Sequence, residues 1–160
     1  MQNSPIAPYI RQAKLKDAQS LVVLIREAAL SDKIKHESFK EMTTRVEKCV
    51  QHCGGDKRCT IFVVADSGEN ILAYAAVQWH TTLFLPGNEG YISELTVNVA
   101  NRGRGIGGML LNRLIEEGRK RGCARMSLIN SRFRESYKRE FYNRRGWYER
   151  RAAANFIYEF

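Results

Sequence analysis

The sequence predicts an α+β domain built on a single mixed sheet. A hairpin of two buried-type strands stands near the middle of the chain. A strand runs through a glycine-rich turn into an amphipathic helix, and helices interleave with strands from there on, which favours some parallel pairing. The 160 residues suffice for one domain, read as 1–160 with a core from about 8 to 160. Hydrophobic residues at 44% and charged residues at 27% fit a globular chain. No apolar run reaches the roughly 20 residues of a membrane-spanning helix.

The elements follow in order. Pro8–Ala13 reads as a short first strand. From Lys16 to Leu30, Ala18, Leu21, Val22, Leu24, Ile25 and Ala28 recur at helical spacing. A second helix is expected from about His36 to His52, interrupted by Gly54-Gly55-Asp56. Thr60–Ala65 and Ile71–Thr81 form the hairpin around the turn Asp66–Asn70. Leu83–Gly90 reads as a loop and Tyr91–Val99 as a strand. A helix over Gly105–Arg121, a strand over Ala124–Ile129 and a helix over Arg134–Arg144 stopping at Gly146 come next. Short strands near Trp147–Arg150 and Asn155–Phe160 would close a sheet of about seven strands flanked by about four helices.

The turn Asn101–Gly108 carries the chemistry. Glycines let the backbone approach a bulky anion, and the unpaired N–H groups at a helix start point at it. Arg102 and Arg104 add charge. A dinucleotide fingerprint fits Gly103–Gly108 only with its last glycine one place early, and Ala124, Arg125 and Met126 stand where its acidic residue belongs. A Walker A loop fails at Gly107-Gly108-Met109.

The pattern [Arg/Gln]-x-x-Gly-x-[Gly/Ala], here Arg102-Gly103-Arg104-Gly105-Ile106-Gly107 after Glu94-Leu95-Thr96-Val97, resembles the acyl-CoA diphosphate loop of the GNAT N-acyltransferases. Ile10–Asp17 is similar to that family's first strand and helix start, and Phe141–Trp147 to its Phe-Tyr-x-x-x-Gly-Phe segment. The resemblance implies a sheet splayed between its fourth and fifth strands, with acetyl-CoA in the gap. It implies diphosphate contacts from Arg102, Gly103, Arg104, Gly105, Ile106, Gly107 and Gly108, and pantetheine along Leu95, Thr96 and Val97. The Val97 amide would serve the thioester carbonyl, with Asn130 and Lys138 as further cofactor contacts. Relatives often carry alanine where Lys138 stands, and Asn130 lies farther upstream than their asparagine.

Tyr142 is the expected acid: a leaving thiolate needs a proton, and a tyrosine O–H can supply it. Its alternative is a packed aromatic near a helix end. Glu94 is the expected base, because an alkyl ammonium near 10.4 must lose its proton to attack. Strand alternation puts Glu94 with Thr96 on one face and Leu95 with Val97 on the other. The Glu-Leu-x-Val pattern resembles small-molecule members of the family. His80 and Glu89 stand in reserve. The implied activity is direct acetyl transfer from acetyl-CoA to a primary amine, with a small-molecule acceptor ahead of a protein or peptide one. A non-catalytic acyl-CoA-binding or nucleic-acid-binding module is the alternative.

Residues 1–100 balance their charges, so the whole excess of +9 lies in residues 101–160. CoA is one anionic partner that answers it. The basic run from Arg132 to Arg151, with Tyr137, Tyr142 and Trp147, carries no known nucleic-acid signature, and no such partner is expected. Cys49, His52, Cys53 and Cys59 match no zinc spacing, and no metal is expected. The start, Met1–Pro5, lacks a secretory pattern, so a cytoplasmic protein with reduced cysteines is expected. The apolar end of the chain offers a surface for homodimer pairing.

Overall fold

A computed structural model describes residues 7–28 and 36–160. The chain divides into two compact units, residues 1–128 and 129–160, taken here one at a time. The first holds one five-stranded sheet in the order β1 (Tyr9–Gln12), β2 (Cys59–Ala65), β3 (Ile71–Thr81), β4 (Asn88–Val97) and β5 (Cys123–Leu128). Neighbours are antiparallel except β4 and β5, which run parallel. The helix α3 (Ile106–Lys120) makes the crossover that parallel pairing demands. Helices α1 (Ala18–Ala28) and α2 (Phe39–Gly55) join β1 to β2. The expected end of α1 at Leu30 falls outside the described residues.

The register assigns each helix to a face. Val63 and Tyr74 are cross-strand partners, and both pack with Leu21, Val22, Leu24, Met42, Val46 and Val50. Thus α1 and α2 cover one face. Phe62 and Ala75 pair on the opposite face. There Arg113 of α3 lies over the Phe62 ring at 4.9 Å and Arg121 lies over Trp79 at 4.8 Å. A Cβ on Gly118 would stand 2.9 Å from Met126 Sδ, so a missing side chain lets α3 settle on the sheet. Leu110, Leu111 and Leu114 are fully buried on this side.

Two local features differ from expectation. The helix α2 does not stop at Gly54-Gly55 but runs through Gly55 to an Asp56 cap, after starting at a Ser38/Glu41 capping box. The strand β4 begins at Asn88, inside the expected loop, because Gly90 pairs with Trp79, whose ring leaves room for no side chain there: a Cβ would lie 2.7 Å from Trp79 Cζ3.

The second unit holds the helix α4 (Glu135–Lys138) and a 3-10 turn over Asn143–Arg145. The expected helix over 134–144 is broken at Glu140, whose φ of 55° is left-handed. Phe141 N–H donates to Ser136 O and Glu140 N–H to Tyr137 O, which is a Schellman ending. A second one follows at Gly146, φ 82°, where Trp147 N–H donates to Tyr142 O and Gly146 N–H to Asn143 O.

The expected strands at 147–150 and 155–160 are not formed, so five strands replace seven among the described residues. Arg150–Ala153 turns instead, and Phe156, Ile157, Tyr158 and Phe160 stand exposed. An apolar stretch makes a strand only where a neighbouring ladder receives it.

Candidate active site

The glycine-rich turn leaves β4 through a short 3-10 turn at Val99–Asn101 and enters α3 at Gly105. Gly103 and Gly105 have φ of 77° and 82°, a region costly for side chains other than glycine, and a Cβ at either would meet nothing within 4 Å. Both glycines are therefore favoured by backbone conformation, and the space above them is open. The intrahelical ladder begins with Met109 N–H to Gly105 O. Ile106, Gly107 and Gly108 supply the first-turn amides, which lack an intrahelical acceptor in any α-helix. The Arg102 Nε donates to Val97 O at 3.2 Å, and Arg104 Nη1 donates to Asn101 Oδ1 at 3.0 Å. Arg102 is thus linked back to the strand end.

The strand end has its own geometry. The register of β3 against β4 jumps from Val77↔Ile92 to Ala76↔Glu94, leaving Ser93 as an extra residue whose hydroxyl donates to Ala76 O at 3.2 Å. A bulge bends a strand and increases its twist. The β4–β5 pairing ends at Ile92↔Leu128, one residue before it. Asn98 N–H donates to Leu72 O on β3 at 2.9 Å. Successive peptide groups of a strand point to opposite sides. The Val97 amide and carbonyl therefore point away from β3, beyond the last β5 pair.

Glu94 and Thr96 lie opposite Ala76 and Tyr74, on the face that α1 and α2 cover, while Leu95 and Val97 lie on the α3 face. The Tyr74 hydroxyl, on a side chain 3% exposed, donates to Glu94 Oε2 at 2.5 Å. Arg45 of α2 is held in its charged form first by Glu37, at 3.0 and 2.8 Å, with a smaller attraction from Glu94. Nothing in the sequence singled out Tyr74; only a strand position and the need of a buried hydroxyl for a partner mark it.

Glu89, a reserve candidate, is a buried structural anion. Arg125 grips it through Nε at 2.9 Å and Nη2 at 3.0 Å, and Ser127 Oγ donates at 2.7 Å. The guanidinium holds this carboxyl below its ordinary range. His80 Nε2 stands 3.7 Å from it.

In the second unit, Tyr142 packs edge-on against Phe141 at 4.9 Å and Trp147 at 6.0 Å. Burial pushes its hydroxyl pKa up, so the proton is retained at neutral pH. Asn130 Oδ1 accepts from Ser136 Oγ at 3.2 Å, and its Nδ2 is buried with no protein partner. Lys138 is exposed and pairs with Glu135 at 2.8 Å. Tyr137 donates to Glu149 at 3.1 Å.

The cysteines are free thiols. Burial first, and the adjacent Cys59 second, push the Cys53 thiol up to about 12. Among the described residues no three His, Cys, Asp or Glu side chains gather as a metal site, and no helix is long and apolar enough to cross a membrane.

The family model described as the Acetyltransferase (GNAT) family matches residues 23–147. The chain is a GNAT acetyltransferase. GNAT enzymes take acetyl-CoA as donor and an amine as acceptor. A curated relative, glucosamine 6-phosphate N-acetyltransferase 1 of Oryza sativa subsp. japonica, is 28% identical over 122 residues, 76% of this chain and 71% of the relative. A transcriptional regulator from Bacillus halodurans C-125 superposes with a TM-score of 0.80 at 23% identity, covering 95% of this chain and 100% of the other. Glucosamine-6-phosphate N-acetyltransferase from Arabidopsis thaliana gives 0.74 at 18% identity, covering 96% and 99%. These two structural likenesses establish the GNAT fold.

Proposed function

We propose that this GNAT chain transfers acetyl from acetyl-CoA directly to a primary amine of a small molecule in a ternary complex. The observation that carries the reading is the continuous run from the Val97 peptide, aimed beyond the last β5 pair, to the open left-handed glycines and first amides of α3. The Ser93 bulge supplies a physical cause for β4 to diverge from β5. On this reading the diphosphate lies on the amides of 103–108 with Arg102 and Arg104 beside it. Pantetheine follows Leu95, Thr96 and Val97, and the Val97 amide receives the carbonyl oxygen as it becomes an oxyanion.

Glu94 is the proposed base, its carboxylate oriented by Tyr74. It draws in the ammonium and accepts its proton, and the neutral amine attacks the thioester carbonyl. The nitrogen gives up its second proton to solvent, and the tetrahedral centre collapses with loss of the CoA thiolate. Tyr142 is the proposed acid for that thiolate, and its raised pKa keeps it protonated for the task. Asn130 and Lys138 remain proposed cofactor contacts, the first favoured by its unpartnered Nδ2. A small amine is supported by the rice relative, whose name specifies an amino-sugar phosphate. A cytoplasmic location and pairing through the apolar C-terminal residues belong to the same proposal.

The test is a panel of primary amines, amino sugars and their phosphates included, incubated with acetyl-CoA while free thiol is followed. Amine-dependent thiol release is expected. CoA binding without thiol release from any amine would replace the enzyme with an acyl-CoA-binding module. Glu94→Gln should lower the rate with at least one active amine about 100-fold, and an unchanged rate and pH profile would remove it as base.

A further inference from the structure

We infer that Asn98 is a positioning residue that ties the diphosphate loop to the end of α1 through a relay of side-chain amides. The relay is continuous. Asn98 Nδ2 donates to both Glu27 carboxylate oxygens, at 3.2 and 3.1 Å. Its Oδ1 accepts from Ala100 N–H at 3.0 Å and from Asn101 Nδ2 at 3.1 Å. The Asn101 Oδ1 accepts in turn from Arg104 Nη1 at 3.0 Å. Four side chains therefore connect the penultimate residue of α1 to the guanidinium beside Gly105.

The residue types are those the geometry needs. Ala100 N–H takes an acceptor and Glu27 a donor, and the Asn98 amide supplies both from separate atoms, an arrangement that only one of its two flips satisfies. Aspartate would keep the two acceptor bonds but set a carboxylate against Glu27. Leucine, close in size, would keep none. Glu27 itself stands one residue before Ala28, the last described residue of α1. The Asn98 amide meets both Glu27 carboxylate oxygens. A guanidinium has five donors, so the one given to Asn101 fixes the plane of Arg104 and leaves the group competent for phosphate. Loss of the relay lets the loop sample other arrangements, and ligand binding must then bear the cost of ordering it.

The inference rests on the reading of residues 102–108 as the diphosphate loop. The experiment measures CoA affinity by calorimetry and, with an active amine, KM for acetyl-CoA and kcat. Asn98→Leu is expected to raise Kd and KM by about fivefold, the worth of roughly one ordinary hydrogen bond, with kcat within about twofold. Glu27→Leu breaks the tie from the other side and should raise both by about two- to fivefold. Asn98→Asp should weaken binding by a similar factor, and adding Glu27→Lys, which restores a donor opposite the new carboxylate, should bring Kd back to within about twofold of the parent.

Parent-like CoA affinity in Asn98→Leu and Glu27→Leu would overturn the relay while leaving the loop assignment standing. Failure of Glu27→Lys to rescue Asn98→Asp would overturn the tie to α1. A parent protein that does not bind CoA would instead overturn the loop reading, and the relay's role with it.

Discussion

Replacing Gly105 by alanine separates two duties of one residue. The backbone there has φ 82° and ψ −8°, and a Cβ built on it meets nothing within 4 Å. The added methyl clashes with no protein atom, so its cost to folding is conformational. An L-residue in this region loses roughly 1–2 kcal/mol, and restricting the unfolded chain returns about 0.4–1 kcal/mol. The net loss is about 1 kcal/mol, which for a domain of this size lowers Tm by roughly 2–4 °C. Asparagine tolerates the left-handed region better, and Gly105→Asn should lose less stability.

Binding should rank the variants the other way. The space above Gly105 is where the diphosphate is proposed to sit, so the larger side chain obstructs more. CoA affinity by calorimetry should fall about tenfold in Gly105→Ala and further in Gly105→Asn, the less destabilised of the two. If both variants bind CoA like the parent while Tm drops as stated, the glycine merely starts a helix and the diphosphate site is elsewhere.

Other outcomes follow from the same geometry. Tyr142→Phe should lower kcat about 100-fold or more with CoA affinity within twofold; an unchanged kcat would remove the acid role. Arg125→Met leaves the buried Glu89 carboxylate without its cation and should cost about 3 kcal/mol at pH 7, read by urea unfolding. Because Glu89 titrates below its unfolded value, the pair stabilises at neutral pH and that contribution fades as pH falls through the carboxylate range. The deficit of Arg125→Met should therefore shrink towards pH 4, and a constant deficit would contradict it. Glu140→Gly should raise Tm by about 1–4 °C, since φ 55° suits glycine; a lower Tm would show that this ending is not strained.

Much of the first unit was legible because its signals are periodic. The hairpin of β2 and β3, the helix α3 and the strand β5 fall within a residue or two of the apolar patterns that announce them. The left-handed Gly103 and Gly105 were legible for a stereochemical reason. What the pattern could not carry is determined by a distant partner. Gly90 belongs to a strand because Trp79 covers it. Glu140 ends a helix where no glycine stands, so nothing local marks the break. Residues 155–160 are rich in apolar and aromatic residues, as a strand is, without a ladder to join. Of the candidate site, Glu94 was singled out by its place in the Glu-Leu-x-Val run, whereas Tyr74, Asn98 and Glu27 are ordinary residues that stand out only through what they touch.

The extra residue in β4 has a consequence for engineering. Counting by twos from Glu89 would hand the α1/α2 side to residues 93, 95 and 97, but the insertion passes it to 94 and 96. Excising Ser93 would close the count, leaving Ile92 opposite Val77 and Glu94 opposite Ala76, so no downstream side chain changes sides. Such a shortened chain would retain every functional group and lose only curvature, which makes shape itself, apart from chemistry, a quantity that one codon can remove.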